Sequence, residues 1–135
     1  MNEEKDRRSA NEVLLRVLHL EDSPQDAELV ERALDRSGLG CSITWITTGQ
    51  ELEAALAKGG FDIVLSDDGL AGFDGMDALR CVRKRAPDLP FILLSGSIGE
   101  ETAAEMKKLG AKDCVSKDDL RLLDSAVRRA LSSGR

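Results

Sequence analysis

Two acidic pairs and one distant lysine are the residues of this chain whose types and spacing fit a shared chemistry. Glu21-Asp22 and Asp67-Asp68 each follow a short apolar run, and Lys117 follows a third such run. Carboxylates held close together repel one another, so a site that collects them usually holds a cation. Oxygen ligands favour Mg²⁺ or Ca²⁺. A lysine directed at the same place indicates that an anion also binds there.

Five apolar runs alternate with amphipathic stretches, which predicts βαβ units and a parallel sheet. The runs show little polar alternation, as expected for strands covered on both faces. Right-handed crossovers bring the carboxyl ends of all strands to one edge, where open α/β sheets bind ligands. Both acidic pairs and Lys117 are therefore expected to meet at that edge. The predicted strands are residues 14–20, 42–46, 63–66, 91–94 and 114–116.

Helix start signals lie between these strands. The predicted N-cap residues share a short polar side chain that accepts a backbone hydrogen bond. The fourth helix is predicted to begin within residues 97–100 and the fifth at residues 118–119. The three clear N-cap residues are Ser23, Thr48 and Asp74.

The length of 135 residues fits one domain. We predict a disordered leader at residues 1–12, the domain at residues 13–132 and a tail at residues 133–135. A net charge of −6 with both signs mixed gives no basic face, so direct contact with nucleic acid is not expected. No apolar run is long enough to cross a bilayer, so no membrane contact is predicted.

The three cysteines lie far apart and form no C-x-x-C pair. Zinc binding and thioredoxin-like chemistry are therefore disfavoured, and reduced thiols in a cytoplasmic protein are the expected state. The single histidine, His19, lies within a predicted strand and is expected to be a packed, hydrogen-bonded core residue. Trp45 is likewise predicted to lie in the core. Asp68 should point away from the site by strand alternation and be a solvated charge.

Taken in sequence order, five motifs resemble the response-regulator receiver domains of two-component signalling, of the chemotaxis-regulator type. The similarity covers about residues 14–131. It implies a three-layer, flavodoxin-like (βα)5 α/β fold whose parallel five-stranded sheet has the order 2-1-3-4-5. The motifs are Leu18-His19-Leu20-Glu21-Asp22-Ser23, Val64-Leu65-Ser66-Asp67, Phe73-Asp74-Gly75-Met76, Leu93-Leu94-Ser95-Gly96, and Gly110-Ala111-Lys112-Asp113 ahead of Lys117.

The resemblance also implies a role for each site residue. Asp67 would accept a phosphoryl group from a phosphohistidine on a sensor histidine kinase or phosphotransfer protein. Asp22 and Asp67 would bind Mg²⁺ directly, together with the backbone carbonyl of Gly69. Glu21 would reach the ion through water, because Mg²⁺ keeps several waters.

Two further residues would act on the transferred group. Lys117 would pair with a phosphoryl oxygen, and Ser95 would donate a hydrogen bond to it and move the loop after the fourth strand. Such a protein is not an enzyme on other substrates, although it promotes its own phosphorylation and dephosphorylation. The cognate kinase, the signal and the output partner do not follow from the sequence.

Three positions depart from the family pattern. Ala71 and Asp118 stand where proline is common, and Cys114 stands where an aromatic residue usually reports the state of the hydroxyl switch. The departures at Cys114 and Asp118 leave open a receiver-fold interaction module that works without phosphorylation. A haloacid-dehalogenase-like phosphatase is disfavoured, because Gly69 stands where that family has a second aspartate. A stand-alone protein, a fragment of a larger regulator, and a homodimer through the fourth and fifth helices are all compatible with the sequence.

Overall fold

The computed structural model describes residues 14–96 and 99–133. The predicted leader and residues 134–135 of the predicted tail lie outside this description. No helix in the described part of the chain is long and apolar enough to span a membrane.

Strands and helices alternate along the described chain, with five α-helices in total. A 3₁₀ segment, Lys117–Leu122, precedes the last of them. The elements are β1 (Leu15–Leu20), α1 (Pro24–Arg36), β2 (Cys41–Ile46), α2 (Gly49–Lys58), β3 (Ile63–Asp67), β4 (Gly69–Leu70), β5 (Phe73–Asp74), α3 (Gly75–Arg85), β6 (Phe91–Ser95), α4 (Glu100–Lys108), β7 (Asp113–Ser116) and α5 (Leu123–Ser133).

Five strands form one parallel sheet in the order β2-β1-β3-β6-β7. The short strands β4 and β5 form a separate antiparallel hairpin. Since β6 and β7 are the fourth and fifth strands of the main sheet, the predicted order 2-1-3-4-5 is confirmed. The register pairs Leu20 with Ser66, Asp67 with Leu94 and Ser95 with Ser116, so the strands end nearly level.

Each face of the sheet carries its own hydrophobic core, since side chains alternate along a strand. Val17, Ile63 and Leu65 pack with residues of α1 and α5 on one face. Leu18 and Val64 pack with residues of α2, α3 and α4 on the other. Fully burying an aliphatic side chain of this size stabilises the fold by about 1.5–3 kcal/mol. Coverage of both faces explains why the strands lack polar alternation.

The three predicted N-caps are confirmed, because each side chain accepts a hydrogen bond from a backbone N–H of its helix. Asp74 and Asp77 exchange such bonds in both directions, forming a complete capping box. Glu51 does not complete a capping box with Thr48, because its carboxylate accepts a hydrogen bond from the N–H of Thr47 instead. The fourth helix begins at Glu100, within the predicted interval.

The predicted start of the fifth helix is wrong. The α-helix begins at Leu123, after the 3₁₀ segment. Asp119 has φ −139° and ψ 61°, which interrupts the helical backbone. The Ser116 hydroxyl accepts a hydrogen bond from the N–H of Asp118 at 3.1 Å and starts the segment there. Lys117 is the first residue of this segment, so it lies directly after β7, next to the edge where the other strands end.

The close approach of α3 to the sheet predicts a cost for adding one carbon atom at Gly75. A Cβ there would lie 2.6 Å from Leu93 Cδ1 and 3.1 Å from the Cα of Asp68. We expect Gly75→Ala to lower the free energy of unfolding by about 1–3 kcal/mol. The gain of about 0.4–1 kcal/mol from a more restricted unfolded chain is smaller.

Urea denaturation of this variant and of Gly69→Ala provides the measurement and its control. A Cβ at Gly69 meets nothing within 4 Å, so that variant should stay within about 0.5 kcal/mol of the parent. Equal effects at the two positions would contradict the tight contact between α3 and β6.

Candidate functional site

Three carboxylates meet at the carboxyl edge of the sheet. Glu21 and Asp22 directly follow β1, and Asp67 is the last residue of β3, the neighbouring strand. Oxygen atoms from the three side chains all lie within 4.8 Å of one another. Glu21 is 1% exposed and Asp67 7%, whereas Asp22 is exposed. The cluster therefore has a buried floor and is open to solvent on the Asp22 side.

Lys117 is distant from this cluster in the sequence but contacts it in the folded protein. Its Nζ is 2.7 Å from Oδ1 of Asp67, 2.9 Å from Oε1 of Glu21 and 2.9 Å from Oδ2 of Asp26. A lysine ammonium has three donors, and here three carboxylates surround it. Burial opposes the charged form of the amine, but the three carboxylates outweigh burial and raise the pKa of Lys117. The lysine therefore remains a cation throughout the physiological pH range.

Glu21 is the most deeply buried of the acids. Burial is the largest influence on it and raises its pKa, while Lys117 and the N–H of Ser23 act in the opposite direction. That N–H donates to Oε2 of Glu21 at 3.1 Å. A carboxylate placed this deep is costly to ionise without a neighbouring positive charge. The buried part of the site at Glu21 therefore favours the binding of a cation.

Asp26 is a site residue that the sequence analysis missed. It lies in the first turn of α1, and its N–H is bound by the Ser23 cap. An acid in a first turn is already explained by the helix dipole, so its type and position gave no separate signal. Its contact with Lys117 joins residues 91 positions apart. Asp26 is not one of the three carboxylates whose oxygens cluster.

The hydroxyl of Ser95 is held by Asp68. Ser95 is the last residue of β6 and is 1% exposed, and its Oγ donates to Oδ2 of Asp68 at 2.8 Å. The expectation that Asp68 is a solvated charge is therefore wrong. Asp68 is half-buried, and β3 ends at Asp67, so strand alternation no longer determines the direction of the Asp68 side chain.

Gly69 is exposed and opens the hairpin, where it pairs with Asp74. It lies two residues beyond Asp67, at the mouth of the site. Its role as a ligand through the backbone carbonyl stays a prediction.

A model of the response regulator receiver domain matches residues 17–128. The chain belongs to this family. The match includes Glu21, Asp22, Asp67, Ser95 and Lys117.

Relatives of this receiver domain are regulators of transcription. It is 34% identical over 117 residues to the C4-dicarboxylate transport transcriptional regulatory protein DctD of Pseudomonas aeruginosa, covering 85% of this chain and 25% of that protein. It is 35% identical over 105 residues to the DNA-binding transcriptional regulator NtrC of Salmonella typhimurium. This match covers 77% of this chain and 22% of that protein. The chain thus spans about a quarter of these relatives. NtrC is a DNA-binding protein, in contrast to the expectation that this chain makes no direct contact with nucleic acid.

Solved structures agree with the fold. A response regulator receiver domain protein from Clostridium thermocellum superposes with a TM-score of 0.79 at 22% identity, covering 89% of this chain and 96% of that one. The apo receiver domain of nitrogen regulatory protein C superposes with a TM-score of 0.72 at 32% identity. This match covers 87% of this chain and 94% of that one.

Trp45 lies beside the receiver site. Its indole Nε1–H donates to the backbone carbonyl of Glu21 at 2.6 Å, and the side chain is 45% exposed. The prediction that Trp45 lies in the core is therefore wrong. It is the only tryptophan in the chain, which makes its fluorescence a reporter placed directly on a residue of the acidic cluster.

His19 lies below the site in β1, paired in register with Trp45. It is buried as predicted, but Nε2 has no hydrogen-bond partner among the described residues. Burial, followed by the nearby charge of Lys117, lowers the pKa of His19 to about 4. The folded protein thus keeps this imidazole neutral.

The lowered pKa of His19 predicts a pH-dependent loss of stability. The unfolded chain binds a proton near pH 6.5, whereas the folded chain binds it only near pH 4, so folding stability falls as the pH drops between these values. At about 1.4 kcal/mol per pH unit, the loss attributable to His19 is about 3 kcal/mol.

Denaturant unfolding in the presence of a chelator, from pH 7 to pH 4, measures this loss. His19→Leu replaces the imidazole in β1 by an apolar side chain of similar size. The stability of this variant should depend much less on pH. If the parent and His19→Leu lose stability in parallel, the imidazole is not the group responsible.

Proposed function

We propose that this receiver domain is a phosphoacceptor and that Asp67 carries the phosphoryl group. An oxygen of the Asp67 carboxylate would form a bond to phosphorus while the P–N bond of a phosphohistidine breaks. The electron pair of that bond returns to the ring nitrogen. The observation that carries the proposal is the position of Asp67, which shares the acidic cluster with Glu21 and Asp22 and lies 2.7 Å from Nζ of Lys117.

The donor set fits Mg²⁺. The three side chains offer only carboxylate oxygens, and opposite ligands of Mg²⁺ lie about 4.2 Å apart, close to the span of the cluster. Asp22 and Asp67 would hold the ion directly together with the Gly69 carbonyl, and Glu21 would hold it through water. When bound, Mg²⁺ neutralises charge on the phosphoryl oxygens during in-line transfer.

Lys117 supplies the second positive charge. In the unphosphorylated site its ammonium is paired with Asp67, Glu21 and Asp26 and offsets part of their negative charge. Once Asp67 becomes an acyl phosphate, that carboxylate loses its charge, and the ammonium turns toward a phosphoryl oxygen. Asp26 lies outside the acidic cluster, so it is free to keep its contact with Lys117 while the other two partners change.

The phosphodonor must come from another site than His19. That side chain is the only histidine of the chain, and it is 1% exposed. We propose that the donor in the cell is a sensor histidine kinase or a phosphotransfer protein of the cytoplasm. The output is proposed to follow the relatives, which regulate transcription. The protein would then be a switch that acts on its own aspartyl phosphate and not an enzyme for separate substrates.

A phosphorylation-independent interaction module is the second candidate. Cys114 favours it, because this half-buried thiol packs against the core where an aromatic switch residue is common in the family. Such a module needs no cation, so calorimetry that detects no Mg²⁺ binding would favour it.

The phosphoacceptor proposal predicts a gain of mass. With an acyl phosphate donor such as acetyl phosphate and Mg²⁺, the intact protein should gain one phosphoryl group. The Asp67→Asn variant should gain none, because its amide is not a nucleophile for phosphorus. Asp88→Asn removes an equal charge from an exposed loop and should behave like the parent. A gain that survives Asp67→Asn would place the modification elsewhere.

The acidic cluster also predicts an optical signal for Mg²⁺. Binding should change Trp45 fluorescence, because the indole is hydrogen-bonded to the backbone of Glu21. Asp22→Asn removes a proposed direct ligand, and we expect it to weaken the apparent affinity at least tenfold, as even outer-shell partners change affinity 10–100-fold. Asp88→Asn is again the matched control. Equal affinities in all three proteins would exclude Asp22 as a ligand.

A further inference from the structure

The hydroxyl of Ser95 can serve only one acceptor at a time. A serine hydroxyl has one proton, and an ionised carboxylate is only an acceptor. In the bond between Ser95 Oγ and Asp68 Oδ2, the proton therefore belongs to Ser95 and is directed at Asp68. The family resemblance implies that Ser95 donates the same proton to a phosphoryl group on Asp67. The two bonds exclude each other.

Asp68 is held where it can make this bond. Its backbone carbonyl accepts a hydrogen bond from the N–H of Gly75 at 2.9 Å, and its Cα packs against the same glycine. These contacts fix Asp68 between the end of β3 and the start of α3. Its side chain reaches across to the end of β6, the strand that pairs with β3. Asp68 thus connects three elements around the site.

The side chain of Asp68 also has space to move into when its hydrogen bond to Ser95 breaks. A cavity of about 260 Å³ lies beside it between the start of α3 and α4, with Asp74, Met76, Thr102 and Met106 among its lining residues. The carboxylate is only half-buried, so it can be hydrated after it releases Ser95. The release therefore does not leave an unsolvated charge.

We propose that Asp68 is a positioning residue that holds the Ser95 hydroxyl away from Asp67 until a phosphoryl group competes for its proton. The proposal rests on the proposed phosphoacceptor function of Asp67. A hydrogen bond to a charged group is strong enough to shift an equilibrium at least tenfold. Asp68 would thus set how strongly a phosphoryl group must attract Ser95 before the end of β6 moves.

Beryllium fluoride with Mg²⁺ is the probe, because it forms an unreactive phosphoryl analogue on an aspartate and reports equilibrium binding. Its dissociation constant is measured by Trp45 fluorescence or calorimetry in the parent, Asp68→Ala, Ser95→Ala and the double variant. We expect Asp68→Ala to tighten binding about tenfold in the presence of Ser95. In the Ser95→Ala background the same substitution should have a clearly smaller effect.

The double-variant cycle separates the hydrogen bond from the charge. Removing a negative charge near an anion site tightens anion binding whether or not Ser95 is present, so only the difference between the two backgrounds measures the competition. Asp68→Asn keeps an oxygen acceptor without the charge, and binding to this variant should be intermediate between the parent and Asp68→Ala. If Asp68→Ala folds poorly, the dissociation constant for beryllium fluoride is measured with Asp68→Asn instead.

The outcomes distinguish the two proposals. A parent protein that binds beryllium fluoride, but in which Asp68→Ala has the same effect in both backgrounds, overturns the role of Asp68 and leaves Asp67 as the phosphoacceptor. A parent protein that neither binds beryllium fluoride nor gains a phosphoryl group overturns both. Coupling between positions 68 and 95 supports the competition for the hydroxyl proton.

Discussion

The ammonium group of Lys117 is the contact on which this site depends. Three carboxylates approach it within 2.9 Å, and two of them, Glu21 and Asp67, are almost completely buried. Two like charges about 4 Å apart repel by about 4 kcal/mol at an effective dielectric constant of 20. Without the lysine, the resting protein would carry that repulsion in its interior. The lysine offsets part of this repulsion and leaves the carboxylate cluster able to bind a divalent cation.

The parallel sheet makes this arrangement available. β1 and β3 are adjacent central strands, so the acids that follow them are neighbours. β7 lies at the sheet edge, two strands from β3, and the side chain of Lys117, directly after β7, reaches back to Asp67.

The sequence predicted those features that depend on local pattern or on motif order. The five strands of the main sheet were predicted to within one residue at each end, because apolar runs covered on both faces are distinctive, whereas the short hairpin of β4 and β5 was not predicted. The acidic cluster and Lys117 were predicted to meet because parallel strands end at one edge. The order of the sheet came from the family resemblance, not from any single motif.

Features that depend on long-range contacts were missed, since a local explanation already accounted for each residue involved. An acid such as Asp26 in a first turn suits the helix dipole and gives no further signal, and Asp68 was explained by strand alternation, which stops applying where β3 ends. Trp45 was assigned to the core by its type, but its strand, β2, is at the sheet edge and leaves it half exposed. Large apolar residues at the surface are common enough that type alone does not decide.

Lys117 and Ser95 differ in the number of protons that each can donate to hydrogen bonds. Lys117 has three, so it can turn one toward a phosphoryl oxygen while it keeps Asp26, and its response can be gradual. Ser95 has one, so it is bound either to Asp68 or to a new acceptor. A ligand shifts a conformational equilibrium only through contacts that differ between the two states. If phosphorylation produces an all-or-none change, that change originates at the end of β6 and not at the lysine.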